Sequence, residues 1–161
     1  MTYSIEITPV HQRTLAVLRF HIRLNEMHMM SSRISHAFDV VANHLVASGT
    51  TPIGPAVASY RQYPDGFDVF AGFPVPDSYK PGEEVTTVEV GGCETAHTTH
   101  MGSYDSLPDA YQAIRTGVKV KGKRLSHRQP MWEEYWSDNH SPTENHRTEI
   151  FWPVEPAATA K

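Results

Sequence analysis

One pattern in this 161-residue chain is written twice. Ile34, Ala37, Phe38, Val41, Leu45 and Gly49 recur as Leu107, Ala110, Tyr111, Ile114, Val118 and Gly122, each displaced by 73 residues. Each set puts apolar side chains at i, i+3, i+4, i+7 and i+11 and ends in glycine. That spacing predicts one buried helix face and a C-terminal stop. A duplicated unit in so short a chain predicts two similar halves, and small-molecule clefts are common where such halves meet.

The flanking segments repeat as well. Alternation and turn residues predict strands over 4–8, 14–21, 56–63, 67–75, 85–90, 94–100, 132–136 and 148–154. Pro64-Asp65-Gly66 and Gly91-Gly92 are the turns within two of the pairs. Ser31 or Ser32 is the expected cap of a helix reaching Ser48, and Ser106-Leu107-Pro108-Asp109 opens a second one reaching Lys121. Tyr60 corresponds to Tyr135, and Phe73-Pro74-Val75 to Trp152-Pro153-Val154, with a shift that grows as loop insertions require. The expected fold is therefore α+β. Two fused strand-helix-strand-strand repeats, related by pseudo-twofold symmetry, form mostly antiparallel sheets around a central cleft. The expected organisation is a single domain over 1–154. Its first repeat covers about 3–76, its second about 83–154, and 155–161 is a flexible tail.

Composition narrows the partners. A net charge of −4 without a Lys/Arg-rich tract argues against direct nucleic-acid binding, which needs clustered positive charge. A single cysteine, Cys93, excludes an internal disulfide. It is expected to be inert. No apolar run reaches transmembrane length and residues 1–13 lack a signal-peptide core, so the expectation is a cytoplasmic protein without a membrane partner. The ten histidines form no metal-binding pattern: His97 and His100 fall on opposite faces of a strand, and His36 and His44 are not joined by a third ligand. No metal, haem or other cofactor is expected. Met27, Met29 and Met30, with His28, read as a long loop packed onto the core.

The densest chemistry lies in Trp132-Glu133-Glu134-Tyr135-Trp136. On a strand Trp132, Glu134 and Trp136 share one face, and Glu133 and Tyr135 the other. Either face joins π surface to a carboxylate, which suits a flat or cationic organic ligand. The residues alone leave open which face meets a ligand.

The segment HMGSYDSLPDAYQAI at 100–114, the Glu-x-Tyr of Glu133 and Tyr135, and TEIFWPV at 148–154 resemble, in order and spacing, the GyrI-like small-molecule-binding family. That family also supplies the effector-binding domain of multidrug-responsive transcription regulators. Two departures stand out: Ser103 takes a position where proline is common, and Trp132 and Trp136 flank the motif where smaller residues are frequent. The resemblance implies an aromatic cleft with a buried acid on the penultimate strand, here Glu133, with Tyr135 beside it. It adds Ser59, Tyr60 and Phe73 as first-half lining residues. Nothing before residue 14 suits a helix-turn-helix, so a stand-alone member is expected.

Three functions follow from that resemblance. The first is binding or sequestration of hydrophobic, planar, cationic compounds, with Glu133 as anchor among Trp132, Tyr135, Trp136, Tyr60, Phe73 and Ser59. The second is a hydrolase of reactive, cyclopropane-type electrophiles, in which Glu133 is the general base and Tyr135 polarises a carbonyl. The third is a protein-interaction or inhibitor module with a protein partner.

Overall fold

The computed structural model describes residues 2–137 and 142–157. It contains nine described strands, two α-helices and short 3-10 turns: β1 (Glu6–Val10), β2 (Arg13–Arg23), α1 (Met30–Ala47), β3 (Ala56–Tyr63), β4 (Gly66–Val75), β5 (Thr86–Val90), β6 (Cys93–Met101), α2 (Leu107–Val120), β7 (Lys123–Leu125), β8 (Met131–Tyr135) and β9 (Arg147–Pro156). The mixed α and β class matches the expectation. The chain separates into two compact units, Arg13–Val90 and Met1–Gln12 with Gly91–Lys161.

In the Arg13–Val90 unit the strand order is β3-β4-β2-β5, with each pairing antiparallel. β3 and β4 close as a hairpin with Tyr63 opposite Gly66, so Pro64-Asp65 makes the tight turn that the sequence signals. Ala37, Val41 and Leu45 form the buried stripe of α1. Val41 and Leu45 pack with Ala16, Val75, Tyr79 and Val85, and Phe73 joins from β4.

The other unit has the order β1-β6-β9-β8, again antiparallel, with β7 also pairing with β9. Ala110, Ile114 and Val118 are the buried stripe of α2. Both helices end as their glycines require. Gly49 (φ +69) and Gly122 (φ +74) adopt left-handed backbone, and each donates its N–H back to the last helical turn.

Several local expectations change. Ser31 and Ser32 do not cap α1; the helix begins at Met30, and the Ser32 hydroxyl instead donates to the Met29 carbonyl. A 3-10 segment, Leu24–Met29, runs straight into the helix, and the Met30 N–H is taken by Met27. Its turn supplies acceptors that a side-chain cap would otherwise provide. This same segment buries none of its residues: Met27 and Met29 are exposed, and only Met30 at the helix start is half-buried. The packed-loop reading is thereby corrected. β7 is a strand the sequence did not signal, because Lys123-Arg124-Leu125 is too short and too basic for an alternation pattern. Glu155 and Pro156 belong to β9 and pair with Arg124 and Lys123, so the ordered chain runs beyond Val154. The remainder of the expected tail, 158–161, lies outside the described residues.

Candidate functional site

Alternation along β8 sorts the acidic-aromatic cluster onto two faces. Glu133 and Tyr135 share one, and the Tyr135 hydroxyl donates to Glu133 Oε1 at 2.6 Å. The same face meets α2, from which the Tyr111 hydroxyl donates to Glu133 Oε2. Glu133 is 5% exposed. Each carboxylate oxygen thus holds a phenol hydroxyl. Phenols are neutral donors, so these two bonds orient the carboxylate.

Further rings pack on these two tyrosines. Tyr111 stands edge-on to Trp152, with ring centres 6.1 Å apart, and Tyr104 stands edge-on to Tyr135 at 6.0 Å. Tyr104 also lies against His146. Burial raises the Tyr104 phenol above its ordinary value, and the Glu133 charge raises it further.

His100 fixes the turn that carries Tyr104. It is fully buried and sits within hydrogen-bond distance of three groups. A carbonyl only accepts, so Nε2–H donates to the Ser103 carbonyl at 2.9 Å. In the neutral ring Nδ1 then accepts the Tyr3 hydroxyl at 2.8 Å. The Ser106 hydroxyl, 3.1 Å from Nε2, donates to the same Ser103 carbonyl. These bonds pin the loop that leads into α2 and hence the position of Tyr111.

The opposite face of β8 is occupied by its own pairings. Trp132 is fully buried and stacks on Phe151 across the strand pair at 4.9 Å, and His97 stacks on Phe151 at 4.5 Å. The Trp132 indole N–H donates to Glu134 Oε2 at 3.3 Å. Glu134 lies directly opposite Glu149 on β9. Like charges in that position repel; Glu149 accepts from Arg147 at 2.9 Å, and His97 Nε2 lies 3.5 Å from its other oxygen. Trp136 falls just beyond the end of β8, is 48% exposed, and carries the Arg147 guanidinium over its ring at 4.9 Å.

The first-half candidates belong to the other unit. Ser59 on β3 is buried, Tyr60 beside it is half-buried, and Phe73 on β4 packs against Phe38 with ring centres 5.8 Å apart. Tyr111 and Tyr104 are functional candidates that the residue reading passed over. A signal existed for each. Tyr111 has a hydroxyl where Phe38, 73 residues earlier in the matching sequence stripe, has none, and Tyr104 ends the segment His100-Met101-Gly102-Ser103-Tyr104.

The Arg13–Val90 unit also holds a charged cluster of its own. Buried Asp68 accepts from Arg19 at 2.8 Å and from His21 Nδ1 at 2.8 Å, while His21 Nε2 lies 3.4 Å from Asp65. The Asp68 hydrogen bond is the main cause that raises the His21 value, with burial opposing and Asp65 assisting. Burial pushes Asp68 upward, but the bonds and charges of His21 and Arg19 together outweigh it and leave Asp68 lowered. Among the described residues, no three His, Cys, Asp or Glu side chains are grouped so as to hold a metal ion, and no helix is long and apolar enough to cross a membrane.

Comparison with known proteins adds a frame to this geometry. The C-terminal domain of EcmrR shares the fold with a TM-score of 0.76 and 22% identity, covering 98% of this chain and all of that one. A hydrolase from Listeria innocua gives 0.63 and 13%, covering 94% and 92%. SAV2435 bound to tetraphenylphosphonium gives 0.61 and 10%, covering 96% and 94%. No protein of curated function matches the sequence. The GyrI-like small molecule binding domain matches over residues 3–155.

Proposed function

The chain belongs to the GyrI-like small-molecule-binding domain family, and on that premise we propose that it binds hydrophobic, planar, cationic organic compounds against Glu133. One observation carries the reading. Glu133 is a buried carboxylate that accepts from the Tyr111 and Tyr135 hydroxyls, and the rings of those tyrosines stand edge-on to Trp152 and Tyr104. A carboxylate kept from water gains most from a cation, and a delocalised or aryl-shielded cation loses least by leaving water. The rings add dispersion and cation–π attraction. The fold shared with a protein bound to tetraphenylphosphonium, a tetrahedral aryl cation, supports the hydrophobic and cationic parts of this reading. The fused-repeat reading is part of the same proposal: each unit contains a strand, a helix closed by a left-handed glycine, and further antiparallel strands.

The test is a tryptophan-fluorescence titration with tetraphenylphosphonium and with neutral triphenylphosphine oxide. Trp152, on the Glu133 face, is the expected reporter. Glu133→Gln is expected to weaken the cation at least tenfold, about 1.4 kcal/mol, and to leave the neutral compound within twofold. Equal affinity for both compounds in the wild type removes the electrostatic anchor.

Hydrolysis is the second reading, favoured by phenol hydroxyls placed beside a candidate general base. In that chemistry Glu133 takes a proton from water as the water attacks a strained electrophilic carbon. The strained C–C bond breaks, its electrons pass to the substrate's conjugated carbonyl oxygen, and the Tyr135 hydroxyl turns from Glu133 to stabilise that oxygen. Turnover of a cyclopropane-bearing electrophile that is abolished in Glu133→Gln, with binding kept, identifies this case. Binding without turnover in the wild type excludes it.

A further inference from the structure

The outer edge of β2 is paired over only part of its length. β5 covers it from Arg13 to Val17, whereas β4 follows the inner edge as far as Arg23. From Leu18 onward the outer edge has no strand partner among the described residues. Two side chains show which main-chain groups point outward. Glu26 accepts the Arg23 N–H at 3.0 Å, and Arg33 donates to the His21 carbonyl at 2.8 Å. By the two-residue alternation of a strand, the Arg19 N–H and carbonyl and the His21 N–H face the same way.

A groove of about 370 Å³ lies beside this edge, lined by Leu18, Phe20, Ser32, Arg33 and His36. β2 supplies apolar walls and α1 supplies basic ones. No carboxylate is among the lining residues. The Arg33 guanidinium packs over the Phe20 ring at 4.6 Å, which holds its charge at the groove. At the end of the strand the exposed Leu24, Met27 and Met29 extend the apolar surface.

We propose that this edge and groove dock an extended segment of another protein, one that carries an acidic side chain between apolar ones and adds to β2 as a further strand. Spaced N–H and C=O groups along an open edge are matched by another backbone. Alternation then directs every second incoming side chain over the groove. A carboxylate there meets Arg33 and His36, while apolar side chains two residues before and after it, on the same face, cover Leu18 and Phe20. Glu26 and Arg33 already cap the far end of the edge, so the incoming strand is short and centred on Arg19. Arg33 and His36 make this groove basic, whereas Glu133 is an acid.

The experiment uses a fluorescein-labelled pentapeptide Val-Thr-Glu-Thr-Val, which puts both valines and the glutamate on one strand face, with a lysine-for-glutamate counterpart as control. Anisotropy is read on wild type, Arg33→Ala and His36→Ala, and amide hydrogen exchange is read with and without peptide. The acidic peptide is expected to bind saturably, the lysine peptide at least tenfold more weakly, and Arg33→Ala to lose at least tenfold. The Arg19 and His21 amides are expected to become protected, and tetraphenylphosphonium binding to stay unchanged in both variants. If Arg33→Ala fails to fold, His36→Ala and the two peptides carry the same comparison. Absence of saturable binding overturns the proposal. So does binding that leaves the Arg19 and His21 amides unprotected, since a carboxylate alone then fills the groove. Concentration-dependent dimerisation that protects those amides without peptide also overturns it, because a second copy is then the occupant.

Discussion

Glu133 and Glu134 are adjacent, chemically identical and both nearly buried, yet strand parity gives them different partners. Glu133 receives two phenol hydroxyls, and Glu134 receives an indole N–H across from a second carboxylate. The pair leads to two residue-scale predictions. Tyr111→Phe removes one charge-assisted hydrogen bond and leaves the buried carboxylate one donor short. A loss of about 1.5–3 kcal/mol is expected, read as a lower urea midpoint with an unchanged slope. Glu133→Gln removes the lesser of the two causes that raise Tyr104. Its phenol is expected to titrate lower than in wild type but still above the ordinary value, because burial persists. Ultraviolet difference titration, with Tyr104→Phe identifying the signal, reads the shift. The residues alone were neutral between the two acids, and the family resemblance singled out Glu133. Its second tyrosine was not legible, because Tyr111 satisfied the helix stripe as a core aromatic and its hydroxyl carried no periodic signal.

At the scale of elements, helices were easier to read than the segments joining them. A stripe ending in glycine is a local statement, and the left-handed backbone at Gly49 and Gly122 bears it out. At both glycines an added Cβ meets nothing within 4 Å, so substitution costs only backbone strain. Gly49→Ala and Gly122→Ala are each expected to lose about 1 kcal/mol in thermal or urea unfolding, and the asparagine variants less. The start of α1 differs from expectation because Ser31 and Ser32, the expected caps, lie inside the helix, and a preceding 3-10 turn satisfies that end instead. β7 escaped for a related reason. Three residues hold a strand only when a neighbour such as β9 supplies the ladder, and that neighbour lies 22 or more residues away in sequence.

For the whole molecule, ionisation of the His21–Asp68–Arg19 cluster ties stability to pH. The raised His21 value means that its contribution is complete below the ordinary histidine value near 6.5 and is lost as pH rises through the raised one. The lowered Asp68 value means that its contribution is present above the ordinary value of 3.8 and is lost as pH falls through the depressed one. The cluster therefore stabilises most between those limits. His21→Ala is expected to flatten the stability profile on the alkaline side, and Asp68→Asn on both sides; urea midpoints across the pH range read the difference.

The amino-acid sequence by itself determined the two helices, their stops, most strands and the family, because those depend on periodicity, turn chemistry and motif order along the chain. Tertiary structure alone decided which strands became neighbours. β1 pairs with β6 and β5 with β2, although each is nearest in sequence to a different grouping of the expected repeats. It also brought Tyr111 and Tyr104 toward Glu133, and it set Trp132 on Phe151. Pairing register and side-chain convergence arise from contacts between segments far apart in the chain, and no local pattern encodes them.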